Sequence, residues 1–174
     1  MSTPLSGAAK LPLPRWAYVP GDTKAAEADY ETLAQVKLLV PARFHDFVPA
    51  RHPALRYGLM LNDSGYFWEA QEVLEAVWAA APQGGRERTL LRGCIQIANA
   101  NLRLRMGKPH AAARLLGEAL GELKMLDSRK AIAGGDGFVD GFPRAALVAR
   151  LQARLGLPAL SKADWVEIGA IGRI

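Results

Sequence analysis

The run Tyr66-Phe67-Trp68-Glu69-Ala70-Gln71-Glu72-Val73-Leu74-Glu75-Ala76-Val77-Trp78 sets three carboxylates within seven residues and brackets them with large aromatics. On a helix, Gln71, Glu75 and Trp78 fall at i, i+4 and i+7 and share one face, while Glu69 and Glu72 are i, i+3 neighbours on an adjacent face. Carboxyl groups crowded beside apolar rings have raised ionisation values, which suits acid–base chemistry or metal ligation. The plainer reading leaves the glutamates solvated or paired with arginines, and spacing alone favours it.

Other reactive residue types are sparse. Cys94, the single cysteine, lies in an apolar helical run and reads as a small core residue; one cysteine excludes an internal disulfide and any multi-cysteine zinc site. His45, His52 and His110 stand outside the glutamate run and read as surface or packing residues. Arg92, Gln96, Asn99 and Arg103 recur at helical intervals and form one polar stripe, read as a solvated face.

These residues are carried by elements that the sequence marks clearly. Among 174 residues there are 30 Ala and 24 Leu but only 19 Val, Ile and Thr together, which favours helices and makes a large sheet improbable. Residues 1–22 hold Pro4, Pro12, Pro14 and Pro20 and read as an extended arm, with Leu11, Leu13, Trp16 and Tyr18 as anchors. Residues 23–174 read as one helical domain. Within it, Asp22 or Thr23 is the expected cap of a helix over 24–40, followed by an ordered loop to Arg51. Helices are then expected over 54–62, 66–81, 86–106, 109–127 and 143–155, with a last turn near Trp165 begun by Ser161 and Asp164. Asn62-Asp63-Ser64-Gly65, Pro82-Gln83-Gly84-Gly85 and Gly107 supply the turns, and Gly134, Gly135 and Gly137 a flexible connection. The fold class is therefore all-α, a compact bundle of five to six helices. Gly65 and Gly107 each open a helix as in tetratricopeptide-type helix pairs, but their 42-residue separation is too long for that repeat.

Leu61 to Trp78, with its aromatic-aromatic-Glu-Ala-Gln-Glu-x-x-Glu-x-x-Trp pattern, resembles the signature of the domain of unknown function 309 family. Gly93-Cys94-Ile95-Gln96 and the Ala/Leu helix after Gly107 extend the likeness over about 55–125, and Arg15 to Gly21 resembles the arm of some members. The resemblance implies a small all-helical domain of bacterial or archaeal type with no established activity. Glu69, Glu72, Glu75, Trp78, Gly93 and Gln96 match family positions, whereas Gln71 replaces a histidine. Glutamine does not titrate and is a poor metal ligand, so chemistry that needs that imidazole is lost here. Gln71 can still hydrogen-bond, and a structural network between the helices of residues 66–81 and 86–106, through Gln96, is the expected use.

The first functional expectation is thus a non-catalytic module that binds a protein or small ligand through Glu69, Gln71, Glu72, Glu75, Trp78 and Gln96, with no metal and no cofactor. A metal-dependent or acid–base, hydrolase-like enzyme using the same glutamates is the alternative. Nucleic-acid binding ranks third: the net charge is +5 with 15 arginines, but these are scattered and form no recognition motif. The wide Ala-rich helix faces are compatible with homodimerisation. No apolar run approaches the ~20 residues of a membrane span, and no signal peptide is read at the start, so a cytoplasmic setting is expected.

Overall fold

A computed structural model of the chain describes residues 11–22, 27–126 and 137–169. Seven α-helices and no β-strand occur among these residues: α1 (Tyr30–Lys37), α2 (Pro53–Asp63), α3 (Phe67–Ala80), α4 (Arg86–Arg105), α5 (Pro109–Met125), α6 (Phe138–Gly141) and α7 (Arg144–Leu155), followed by a single 3-10 turn, Lys162–Asp164. The all-α class is as the composition indicated.

Most boundaries follow from local chemistry. Pro53 and Pro109 occupy first turns, where the missing N–H costs nothing. Gly65 and Gly107 adopt the left-handed φ values, +90° and +76°, that reverse the chain between helices. Ser161 and Asp164 form the reciprocal capping box that the spacing suggested. α1 departs from expectation: it starts at Tyr30, not at 24, and its cap is Asp29 rather than Asp22 or Thr23. Asp29 accepts from the Thr32 hydroxyl at 2.8 Å and holds Arg15 through three bonds, so the cap is fixed by the arm as well as by its own helix. Residues 24–26 of the expected helix lie outside the described residues, as do Gly134 and Gly135. Gly137 is buried rather than part of an open connection, because it bridges to Pro49 while Phe138 N–H bonds Val48 O at 2.7 Å. This docking starts α6, which no sequence signal marked.

α4 is the centre of the bundle, packed between α3 and α5, with α2 and α1 against α3 and α7 against α5. Leu90, Cys94, Ile97, Asn101 and Leu104, aligned along α4, are all buried. Gly58 lets α2 approach α3 closely, since a Cβ there would stand 2.7 Å from Leu74 Cδ2. Each fully buried Leu or Ile contributes roughly 1.5–3 kcal/mol by leaving water.

The arm binds differently from what its apolar residues suggested. Leu13 and Trp16 are exposed, and Leu11 alone of the three packs partly on the core. Its anchors are instead polar: Arg15 on Asp29, Tyr57 Oη donating to Pro12 O at 2.5 Å, and Tyr18 N–H donating to Glu69 Oε2 at 2.8 Å. Tyr18 also stands edge-on to Trp68, with ring centroids 5.2 Å apart. An extended segment lacks the helical face needed to bury successive apolar side chains, so a few hydrogen bonds set its position.

Candidate functional site

α3 carries five of the six residues singled out, and its geometry decides what they can do together. Phe67, Ala70, Val73, Leu74 and Val77 face the core. Along a helix each three-residue step turns about 60° around the axis. Glu69, Glu72 and Glu75 therefore fan from the core toward solvent instead of converging.

Glu69 lies in the first turn and is fully buried. Its Oε2 accepts from Tyr18 N–H, whereas Oε1 has no partner. Burial pushes its carboxyl up, opposed by the N–H groups of Tyr18 and Glu69 itself and by Arg105. Arg105 stacks 4.2 Å above the Phe67 ring and donates to Gly65 O, which places a guanidinium beside this carboxylate. Glu72 turns to α1 and pairs with Lys37 at 3.0 Å. Glu75 is exposed; desolvation of its carboxyl and the charge of Glu72 raise its ionisation value, and Lys37 lowers it.

Gln71 and Trp78 lie toward the other flank, both half-buried. The Arg88 and Arg92 guanidiniums stand 4.2 and 5.4 Å from the Trp78 ring. Arg88 also donates to Ala79 O and Ala81 O, closing the C-terminal end of α3. Gln71 Nε2 and Trp78 Nε1 are buried without partners. Gln96 does not complete the expected network with Gln71. It belongs to the side of α4 that meets α5, and its Nε2 donates to Glu118 Oε1 at 3.2 Å, while Oε1 is left unpaired. The stripe it belongs to is only partly solvated: Arg92 is exposed, but Gln96, Asn99 and Arg103 are half-buried.

The remaining candidates have structural surroundings. His45 and His110 are exposed, and His52 caps α2 through Nδ1 and meets Phe44 edge-on. Cys94 is buried, which pushes its thiol well above the usual range. Among the described residues no group of three or more His, Cys, Asp or Glu is spaced to hold a metal ion.

Two features escaped the sequence reading. Tyr18, Tyr30 and Trp68 form an aromatic cluster, with Tyr30 and Trp68 5.8 Å apart and nearly perpendicular. Asn62, read as a turn residue, is fully buried and bonded to Asn101, also fully buried. The signal for the second was present: Asn101 interrupts an otherwise apolar helix face, and a polar residue at a core position marks a partnered site.

The fold and its α3–α4 arrangement define a small all-helical protein that carries its polar residues at helix interfaces. Residues 55–115 match the family described as Domain of unknown function (DUF309). No curated protein and no solved structure matches the chain. Among the described residues no helix is long and apolar enough to cross a membrane.

Proposed function

We propose that the protein is a non-catalytic interaction module whose binding face is the outer side of α3, between the Tyr18–Tyr30–Trp68 cluster and the Trp78–Arg88–Arg92 stack. The observation that carries this reading is the set of buried polar atoms of α3 without partners: Glu69 Oε1, Gln71 Nε2 and Trp78 Nε1. Such groups cost stability, and they persist where selection is for binding rather than for folding. Trp, Tyr and Arg, the types that border this face, are also those that dominate binding hot spots. The fanned glutamates support a module over an enzyme, because acid–base or metal chemistry needs carboxylates aimed at one point.

Engagement of the arginines supports a protein or small-ligand partner over nucleic acid: Arg86 pairs with Asp140, Arg105 with Gly65, Arg114 with Glu118, and Arg154 with the Asp164 carbonyl. The tetratricopeptide-like pairing of α2 with α3 and α4 with α5, a cytoplasmic setting and homodimer formation all belong to this reading. Its test is the sign of a stability change. Replacing Gln71 with Met removes an unpaired polar atom and raises Tm; a fall in Tm would assign the residue to the framework and overturn the proposal. Calorimetry with Mg²⁺, Mn²⁺, Zn²⁺ or Fe²⁺ that gave Kd below roughly 1 μM would favour the metal-dependent alternative instead.

A further inference from the structure

Between the loop that follows α1 and the C-terminal end of α3 lies a cavity of about 350 Å³, a volume within the range of small-molecule sites. Arg43, His45 and Asp46 of the loop line it, with Gln83 of the turn after α3 and Arg88 of the first turn of α4. The loop is fastened to the bundle. Phe44 is buried, its N–H donates to Ala80 O at 2.8 Å, and its ring meets His52 edge-on. With Phe44 turned into the core, its neighbours Arg43 and His45 are exposed, and both line the cavity. Arg88 is fixed as well: its Nε and Nη2 donate to Ala81 O and Ala79 O, and its guanidinium lies 4.2 Å from the Trp78 ring. Those bonds leave its Nη1 for another acceptor.

Two features set this cavity apart from a chance hollow. Asp46 has φ +62° and, among the described residues, is the one non-glycine residue in the left-handed region. Phe47 N–H donates to His45 O at 2.6 Å across it, which makes a γ-turn of the rare, strained hand, a conformation that functional sites retain. The charges of the lining also leave one another unsatisfied. Among the described residues Arg43, His45 and Asp46 form no ion pair and no side-chain hydrogen bond, although Arg43 and Asp46 are opposite in sign and three positions apart.

The lining selects a ligand by its chemistry. Arg43, His45 and Arg88 outnumber the one acid, which favours an anion. Two guanidiniums and an imidazole match the three oxygens and double charge of a phosphate, whereas a carboxylate is satisfied by one arginine. The carbonyls that end α3 would repel an anion, but Phe44 N–H covers Ala80 O and Arg88 covers Ala79 O and Ala81 O. Asp46 accepts only from donors, so its place beside the arginines calls for a hydroxyl on the same molecule. We propose that this cavity binds a small phosphate ester of a polyol, with the phosphate on Arg43, His45 and Arg88 and a hydroxyl on Asp46. The site goes beyond the α3 face and shares only Arg88 with it. Variants at Arg43 and Asp46 leave that face unchanged, so each reading can fail without the other.

The test is an NMR titration of the full, isotopically labelled chain with glycerol 3-phosphate and with inorganic phosphate at constant ionic strength. The amides of Phe44 to Phe47 and the Arg88 Nε–H should shift together, and the ester should bind at least about threefold tighter than phosphate. Arg43→Gln should weaken both at least about tenfold. Asp46→Gly suits the left-handed turn and stands at the surface, so the variant should fold; it should keep phosphate binding and lose the preference for the ester. Shifts spread over arginines across the whole surface overturn the proposal, as does equal affinity of Arg43→Gln and the unaltered chain. An unaltered chain that does not prefer the ester, or that binds free glycine more tightly, overturns it too. So does a mixed-sequence oligonucleotide that outcompetes the ester and loses affinity steeply with salt, which would assign these arginines to nucleic acid.

Discussion

Asn62 and Asn101, which meet each other, and Gln71 on α3 and Gln96 on the α5 side of α4, which do not, carry the same functional group, a side-chain carboxamide, and end in opposite states. The asparagines bond to each other and share Val166, so both oxygens and both nitrogens are occupied. The glutamines leave Gln71 Nε2 and Gln96 Oε1 buried and unpaired. Residue type does not separate the two cases, because an amide has the same donors and acceptors in each. What separates them is a third segment: Trp165–Ile168 arrives at the asparagines with backbone groups to offer, whereas among the described residues no acceptor reaches Gln71 Nε2. A satisfied buried network specifies structure, while an unsatisfied one is a standing cost that only a ligand or a solvent molecule can offset.

The contrast can be broken experimentally, most strongly at Asn101. Asn101→Ala strands the Val166 N–H and takes a donor from Val166 O and from Asn62. It should lower stability by about 3 kcal/mol, roughly 9 °C in Tm, measured by urea and thermal unfolding. A loss comparable to that at an exposed site would erase the distinction between the two clusters.

Glu69 sharpens the comparison through pH. Its folded-state ionisation value lies above the ordinary carboxyl value because of burial. Through that window the folded chain binds more protons than the unfolded one, so this group makes stability fall as pH rises from the ordinary carboxyl range upward. In Glu69→Gln that contribution to the slope should vanish, and the stability of the variant relative to the unaltered chain should grow with pH. Parallel unfolding curves for the two proteins from pH 4 to 8 would show that the carboxylate is compensated.

A smaller effect of opposite sign to that at Asn101 is expected at Gln71. Gln71→Met should gain about 1 kcal/mol as the unpaired amide leaves the interface. The least change belongs to the Lys37–Glu72 pair, which is partly exposed on both sides. Lys37→Met should cost about 0.5 kcal/mol or less, and the difference should shrink further in high salt.

The parts of this molecule that were legible in its sequence are those governed by neighbours along the chain. Pro53, Gly65, Gly107, Pro109 and the Ser161–Asp164 box act within one turn, so α2 to α5, α7 and the last turn fall close to where they were expected. The membership of the α4 buried face was legible for the same reason, since periodicity is local. α1 and α6 were not, because their starts depend on distant partners, Arg15 for Asp29 and Val48 for Phe138. The candidate site divides along the same line: its residues fall on α3 and α4, as the helix boundaries indicated, but the pairing of Gln71 with Gln96 was not made.

The sequence by itself determined the helical class, the turn positions, the family likeness and which face of each helix is apolar, because composition, capping and the 3.6-residue period operate over short distances. Only the tertiary structure decided that Glu69 sits under the arm, that Gln96 bonds to Glu118 and that Asn62 reaches Val166. Those outcomes rest on which unpaired donors and acceptors meet when distant segments pack. The identities of hydrogen-bond partners far apart in the chain are set by that packing and not by the residues that carry them.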